Sequence, residues 1–400
     1  MKLLYLTYLA TKDGSSVHVK SFTRAVRALG HEIEHVNIFS DRPLPRGKAA
    51  PPWAASRRAG VLWTRLREAK LFCLNLLHMF REVPLLASGK YEGIFVRCDH
   101  LAFTPVLLAR LFGIPLVLEV NSSMCYEQEA MLGKPQFSQV SKYIERSIWN
   151  LAPKITTVSA ELKGLLTHQG VAAGKITVVP NGVDTAEFSP RPRDSIAVSL
   201  GIADNDFVVG FSGSLQVWHG AEYLLDIVGT LAARNPDHRY KGLILGDGQM
   251  RRALEEEIER RGLRNQVLMC GAIAHHEMPR YLSLFDVALA PYPRMDRLCF
   301  SPLKVFEYLA MGIPTIGSDQ GQLRELLLPG RTGVLVSPGD VKGFVKAIEL
   351  VANDKALHTR LSAGARELVC TSYTWDIVAR SALALFAAPA VGMSQEASER

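Results

Sequence analysis

The order strand, loop, helix, strand is written twice in this chain, and that repetition constrains the fold more than any other feature. Residues 2–9 (KLLYLTYL) form a short apolar run of the kind buried on both faces of a parallel sheet. The loop Asp13-Gly14-Ser15-Ser16 follows, and Val19, Phe22, Val26 and Leu29 then recur at helical spacing until Gly30. Residues 32–39 read as the next strand. From residue 207 the order returns: strand 207–212, glycine-bounded loop 213–220, helix 221–234, strand 242–245, the turn Gly246-Asp247-Gly248 and a charged helix over 250–261. Further strands are predicted at 93–96, 116–120, 154–158 and 176–179, then at 266–270, 286–290, 313–316 and 333–336. Helices fit 102–112 and 138–150.

The expectation is an α/β protein of two Rossmann-like, doubly wound domains, 1–188 and 189–375, facing across a cleft lined by loops at the carboxyl ends of the strands. The polar, proline-rich 189–194 (SPRPRD) is the linker, 376–387 a helix returning to the first domain, and 388–400 a disordered tail.

Composition closes off other classes. A chain of 400 residues, 48% hydrophobic, suits two cores and excludes wholesale disorder. Six cysteines without a C-x-x-C pair offer neither zinc spacing nor a small disulfide framework, which fits thiols in a reducing cytoplasm. The N-terminal apolar run is too short for a signal peptide, and the best spanning candidate, 61–80, is broken by Arg65, Arg67, Glu68 and Lys70.

The net charge of +7 is unevenly placed, because residues 1–188 hold 23 Lys+Arg against 15 Asp+Glu. Residues 41–70 alone carry eight basic residues and two acids, with Trp53 and Trp63 among them. Segment 41–80 reads either as a peripheral contact with an anionic membrane or as a solvated loop and helix face. The lack of a stacked aromatic platform argues against nucleic acid.

The motif richest in chemistry runs from Ser301 to Pro314 (SPLKVFEYLAMGIP). Ser301 can cap a helix, with Pro302 at its first position. The free N–H groups there would form an anion site assisted by Lys304, and Glu307 could accept from a ribose diol. The plainer alternative is a capped helix with a surface Lys and Glu. Gly213 to Gly220 (GSLQVWHG) also joins a strand to a helix, where glycine lets backbone approach a phosphate. His219 there could donate to a phosphate or pack beside Trp218. Gly14 follows the same logic in the first half. Asp204-Asn205-Asp206 matches D-x-D but reads as turn chemistry. His275-His276-Glu277 lacks zinc spacing, and Asn121-Ser122-Ser123 is a sequon that a cytoplasmic chain would not use.

Over about residues 1–385 the chain resembles retaining GT-B glycosyltransferases of family 4, which include bacterial mannosyltransferases and sucrose synthases. The resemblance rests on the joint order of the Gly14 loop, Arg27–Glu32, Val179–Asp184 with Phe188-Ser189-Pro190, Gly213 to Gly220, Leu245–Gly248, Ser301–Pro314, Glu325 and Gly333–Val336. It implies a nucleotide-diphosphate sugar as co-substrate, bound mainly to the C-terminal domain and needing neither metal nor other cofactor. It implies an acceptor on the N-terminal domain, either glycan, lipid-linked or a small molecule.

Glu307 matches the ribose-holding glutamate of the family's E-x7-E motif. Gly14, Gly213, Ser214, His219, Gly246, Gly248, Ser301, Leu303 and Lys304 fall on donor-binding positions. The chain departs from the family pattern at Cys299, where the first glutamate stands, at Ser214 and His219, where a diphosphate-clamping arginine and lysine stand, and at Asn121, where a histidine stands. Asn121 and Cys299 thus occupy the catalytic positions, and Lys304 is expected to take over part of the clamp. The implied activity is sugar transfer with retention, in bacterial surface polysaccharide or glycolipid synthesis, on the cytoplasmic face of the membrane. A nucleotide-sugar epimerase, a phosphorylase-like enzyme and a catalytically inactive partner subunit are the alternatives on the same fold.

Overall fold

The computed structural model describes residues 1–9, 14–38, 57–126, 129, 137–235 and 239–387. By contacts the chain divides into two compact units. The first comprises Met1–Asn181, Cys299–Ser301 and the chain from Trp375; the second comprises Gly182–Leu298 and Pro302–Thr374.

The first unit is built on six parallel strands, β1 (Lys2–Thr7), β2 (Glu32–Asn37), β3 (Gly93–Arg97), β4 (Leu116–Val120), β5 (Lys154–Thr157) and β6 (Ile176–Val178). Their order across the sheet is β2-β1-β3-β4-β5-β6. Helices α1 (Gly14–Ala28), α2 (Arg57–Leu86), α3 (Thr104–Leu111), α4 (Gln139–Leu151) and α5 (Ala160–His168) make the crossovers. The period of two along each strand sorts the side chains. Leu4, Leu6, Ile94, Val96, Leu116 and Leu118 pack with Leu86, Val106, Trp149 and Leu162 from α2 to α5 in one apolar core. Tyr5 and Phe95 point the other way and meet Phe22 of α1 at 5.6 and 5.2 Å between ring centroids.

The second unit carries β7 (Phe207–Ser212), β8 (Tyr240–Leu245), β9 (Val267–Gly271), β10 (Val287–Ala290), β11 (Thr315–Ser318) and β12 (Gly333–Val336), in the order β12-β11-β10-β7-β8-β9. All these pairings are parallel as well. Its helices include α6 (Tyr223–Arg234), α7 (Arg251–Arg260), α8 (Leu303–Ala310), α9 (Val341–Asn353) and α10 (Lys355–Ser372). The last helix, α11 (Trp375–Ala387), belongs to the first unit, where Phe386 stacks edge-on against Phe95 at 4.9 Å.

Helix α2 was not legible in the sequence, where 41–80 reads as loop and helix face; it runs for 30 residues. Residues 39–56, and with them Trp53, lie outside the described residues, as does the tail 388–400. Among the described residues no helix is long and apolar enough to cross a membrane, and all six cysteines are free thiols.

Candidate functional site

In each unit a polar cluster gathers at the carboxyl ends of the strands, where open α/β sheets bind ligands. The second unit's cluster centres on Lys304. This side chain is not on the surface; the residue is 8% exposed and its Nζ has no hydrogen-bond partner among the described residues. Its ammonium lies 4.0 Å from the centroid of the Phe211 ring, at the end of β7, and 5.2 Å from that of Tyr292, just after β10. Cation–π contact offsets part of the desolvation of such a charge, but only part. Burial pushes the pKa of Lys304 down to about 7, with Glu307 opposing the shift.

Glycine makes room beside this ammonium. Gly213 has φ +131°, and a Cβ there would stand 3.3 Å from Lys304 Nζ. Gly246, with φ +148°, crosses so closely that a Cβ would fall 1.8 Å from Gly213 O. The loops after β7 and β8 are thereby joined, with Leu215 N donating to Asp247 O at 2.9 Å. Gly248 lies in the same crossing. Tyr308, fully buried, anchors the end of β7 by accepting from Ser212 N at 2.6 Å and Ser212 Oγ at 2.9 Å.

His219 lies on the far side of the Gly213 loop. Its Nδ1 donates to Ser214 O at 2.6 Å, and burial together with Lys304 pushes its pKa down to about 3. With Nδ1 donating to the Ser214 carbonyl, the ring is held neutral in the ligand-free chain. Glu307, on α8 one turn beyond Lys304, receives His275 Nε2 at 3.0 Å. His275 comes from the H-H-E run, stands against Phe188 at 5.2 Å, and was not legible as a partner of this carboxylate.

Two sequence expectations are corrected at the start of α8. Pro302, not Ser301, is the N-cap, and no side chain caps the helix. Ser301 instead accepts from Asn181, whose N lies 3.4 Å from Ser301 Oγ and whose Nδ2 donates to Ser301 O at 2.9 Å. Leu303 is the first residue of α8. Cys299 is 1% exposed and packs in the first unit's apolar core, with its carbonyl accepting from Ser159 Oγ at 2.5 Å.

The first unit's cluster centres on Glu119 at the end of β4. It accepts from Tyr5 OH at 2.5 Å and Arg97 Nη1 at 2.6 Å, lies 3.0 Å from His18 Nε2, and also receives Asn121 Nδ2. Burial alone would raise its pKa, but His18 and Arg97 hold it well below the usual carboxylate range. His18 Nδ1 in turn donates to Asn181 Oδ1 at 2.8 Å. Asn121 is thus oriented by the carboxylate, and its Oδ1 is a buried acceptor without a partner among the described residues. Gly14 opens α1 and so begins the helix that carries His18. The D-x-D aspartate Asp206 is spent on structure, accepting from Ala203 N at 2.8 Å and pairing with Arg239 at 2.8 Å.

Two family models match the chain, "Glycosyltransferase Family 4" over residues 12–187 and "Glycosyl transferases group 1" over 206–354. Among curated proteins, the D-inositol 3-phosphate glycosyltransferase of Paenarthrobacter aurescens is 26% identical, covering 85% of this chain and 81% of its own. The alpha-D-kanosaminyltransferase of Streptomyces kanamyceticus is 24% identical, with 75% and 78% covered. Among solved structures, the sucrose-phosphate synthase of Thermosynechococcus elongatus superposes with a TM-score of 0.72 at 20% identity, covering 97% of this chain and 98% of that one. Anabaena HepE in complex with UDP-glucose gives 0.70 at 19%, with 97% and 100% covered.

Proposed function

We propose that the chain, which has the GT-B fold and matches the family 4 and group 1 glycosyltransferase models, is a glycosyltransferase that transfers a sugar from a nucleotide-diphosphate donor, bound at Lys304, with retention of anomeric configuration. One observation carries the reading. A buried ammonium without an anion is costly, and here it stands beside the space left by Gly213, at the first turn of α8, where backbone N–H groups also favour negative charge. A diphosphate satisfies all three features.

In this reading Lys304 and the first turn of α8 hold the diphosphate and stabilise the charge that grows on it as the glycosidic bond breaks. Glu307, held by His275, accepts from the ribose hydroxyls. Neutral His219 shapes the Gly213–Gly220 loop rather than adding charge. The acceptor hydroxyl attacks the anomeric carbon on the face from which the diphosphate leaves; its proton passes to the departing phosphate oxygen. No pair of carboxylates serving as nucleophile and acid is invoked. Asn121 Oδ1 is suited to receive a sugar hydroxyl in the first unit, and Cys299 drops out of the catalytic set. The acceptor is a glycan, lipid-linked or small hydroxyl compound, and surface polysaccharide or glycolipid synthesis is the process proposed.

The test is thermal stabilisation by UDP, GDP, ADP, CMP and dTDP, with UDP first because HepE is solved with UDP-glucose. A ligand at about 100 times its Kd adds about 2.7 kcal/mol. One diphosphate should stabilise the protein and Glu307→Ala should remove the effect. Product NMR then reads the anomeric configuration. Stabilisation by none of the five would overturn the donor site, and conversion of a donor without any acceptor would move the chemistry to epimerisation.

A further inference from the structure

Helix α2 packs Met79, Val83 and Leu86 against the core, yet it also buries polar residues and exposes apolar ones. Its inward stripe carries Glu68, Asn75 and Glu82, seven residues apart and all buried, with Glu82 at 0% exposure. Each has a hydrogen-bond partner within the first unit. Glu68 accepts from Ser138 N at 2.8 Å, Asn75 from Thr104 N at 3.2 Å and Oγ1 at 3.0 Å, and Glu82 from Tyr8 OH at 2.6 Å. The outward side carries Leu66, Phe72, Leu76, Leu77 and Phe80, the last 80% exposed. The adjoining α3 adds Leu111 at 75%. A surface helix in water has the opposite arrangement, and grouped exposed apolar side chains mark a contact surface.

Charge selects the occupant. Helix α2 holds six Lys and Arg (Arg57, Arg58, Arg65, Arg67, Lys70, Arg81) and only two acids, Glu68 and Glu82, both of which face inward. Arg67 lies over the Phe137 ring and Arg81 donates to Ile38 O, so among the described side chains the outward side is apolar with Arg65 and Lys70 exposed on it and no carboxylate. A second copy of the chain would bring the same positive charge to the contact, because residues 1–188 carry 23 basic against 15 acidic residues. An anionic lipid bilayer complements both properties. We propose that the outward side of α2, with the exposed end of α3, lies in the interface of an anionic membrane, the helix parallel to the surface. The peripheral contact foreshadowed by the basic segment is thereby assigned to specific side chains, and it does not depend on the donor chemistry proposed above.

The experiment is co-sedimentation of the full-length protein with phosphatidylcholine vesicles and with vesicles containing about 30% phosphatidylglycerol, as salt rises from ~0.05 to ~0.5 M. Binding should be at least about tenfold stronger to the anionic vesicles and should fall with salt. Leu77→Ser with Phe80→Ser should weaken it by at least about tenfold, with an unchanged thermal midpoint because both side chains leave the core untouched. Arg65→Glu with Lys70→Glu, both exposed positions, should weaken binding to anionic vesicles alone; this pair decides the matter should the serine variant fold poorly. Sedimentation no greater than in lipid-free controls overturns the proposal. So does a wild-type dimer that Phe80→Ser dissociates without vesicle binding, since that face would then join two copies.

Discussion

Lys304→Met separates a ligand-holding role from a structural one by producing effects of opposite sign. Methionine keeps the length of the buried stem and removes the charge. The folded protein lowers the pKa of Lys304 from the ordinary 10.5 to about 7. Between those values the unfolded chain binds the extra proton, so stability rises with pH across the window from about 7 to about 10.5. At neutral pH a shift of this size opposes folding by about 2–4 kcal/mol. Removing the charge should return that amount, raising the melting temperature of the ligand-free protein by about 4–16 °C.

A diphosphate reverses the balance. It restores the charged form of Lys304, and loss of that charge-assisted bond costs about 1.5–3 kcal/mol, or roughly 10- to 150-fold in affinity. The assay is differential scanning fluorimetry without ligand, followed by calorimetric titration with the stabilising nucleoside diphosphate. A second reading comes from pH. Because binding takes up a proton, wild-type affinity should weaken by up to about tenfold per unit above pH 7, and the slope should vanish in Lys304→Met. A variant that is destabilised without ligand and binds the diphosphate as tightly as wild type would refute the assignment.

The remaining predictions concern the scaffold around the two clusters. Gly246→Ala should cost at least about 3 kcal/mol, because the new Cβ falls 1.8 Å from Gly213 O and no flexible side chain can yield; urea unfolding of the variant measures it. Tyr308→Phe should cost about 1–3 kcal/mol and weaken nucleotide binding, since it leaves Ser212 N, at the root of the Gly213 loop, without its acceptor. Glu119→Gln should destabilise the first unit by about 3–5 kcal/mol at pH 7, by leaving Arg97 and His18 without their carboxylate. Glu119 has a depressed folded pKa, so its contribution is present above the usual carboxylate range and lost as pH falls through the folded value. The acid limb of the stability curve should accordingly flatten in that variant.

The strands were legible because strands buried in parallel sheets are written as unbroken apolar runs between turn residues. Leu116–Val120 and Gly333–Val336 need no partner to be recognised, and the glycine turn after Leu245 fixes where its strand stops. Helix α2 escaped because the reading of helices assumes apolar residues inside. Glu68, Asn75 and Glu82 occupy the inward stripe instead, and their partners Ser138, Thr104 and Tyr8 lie 29 to 74 residues away. Local pattern carries no information about such partners.

Lys304 shows the same limit from the other direction. Its neighbours in sequence make it an ordinary residue in the first turn of a helix, and the rings that enclose it arrive from the ends of two other strands, Phe211 and Tyr292. Spacing could mark Glu307 as a candidate but could not bring it His275, 32 residues earlier on a separate segment. What converts the motif from a helix start into an anion site is therefore tertiary. Tyr308 fixes the end of β7, and the crossing of Gly213 and Gly246 fixes the loop that follows. Lys304 is the group left buried beside them with no hydrogen-bond partner among the described residues. If that is the physical origin of donor affinity, positioning and charge are separable. Tyr308→Phe should weaken the diphosphate while leaving its pH slope intact, and only Lys304→Met should abolish the slope.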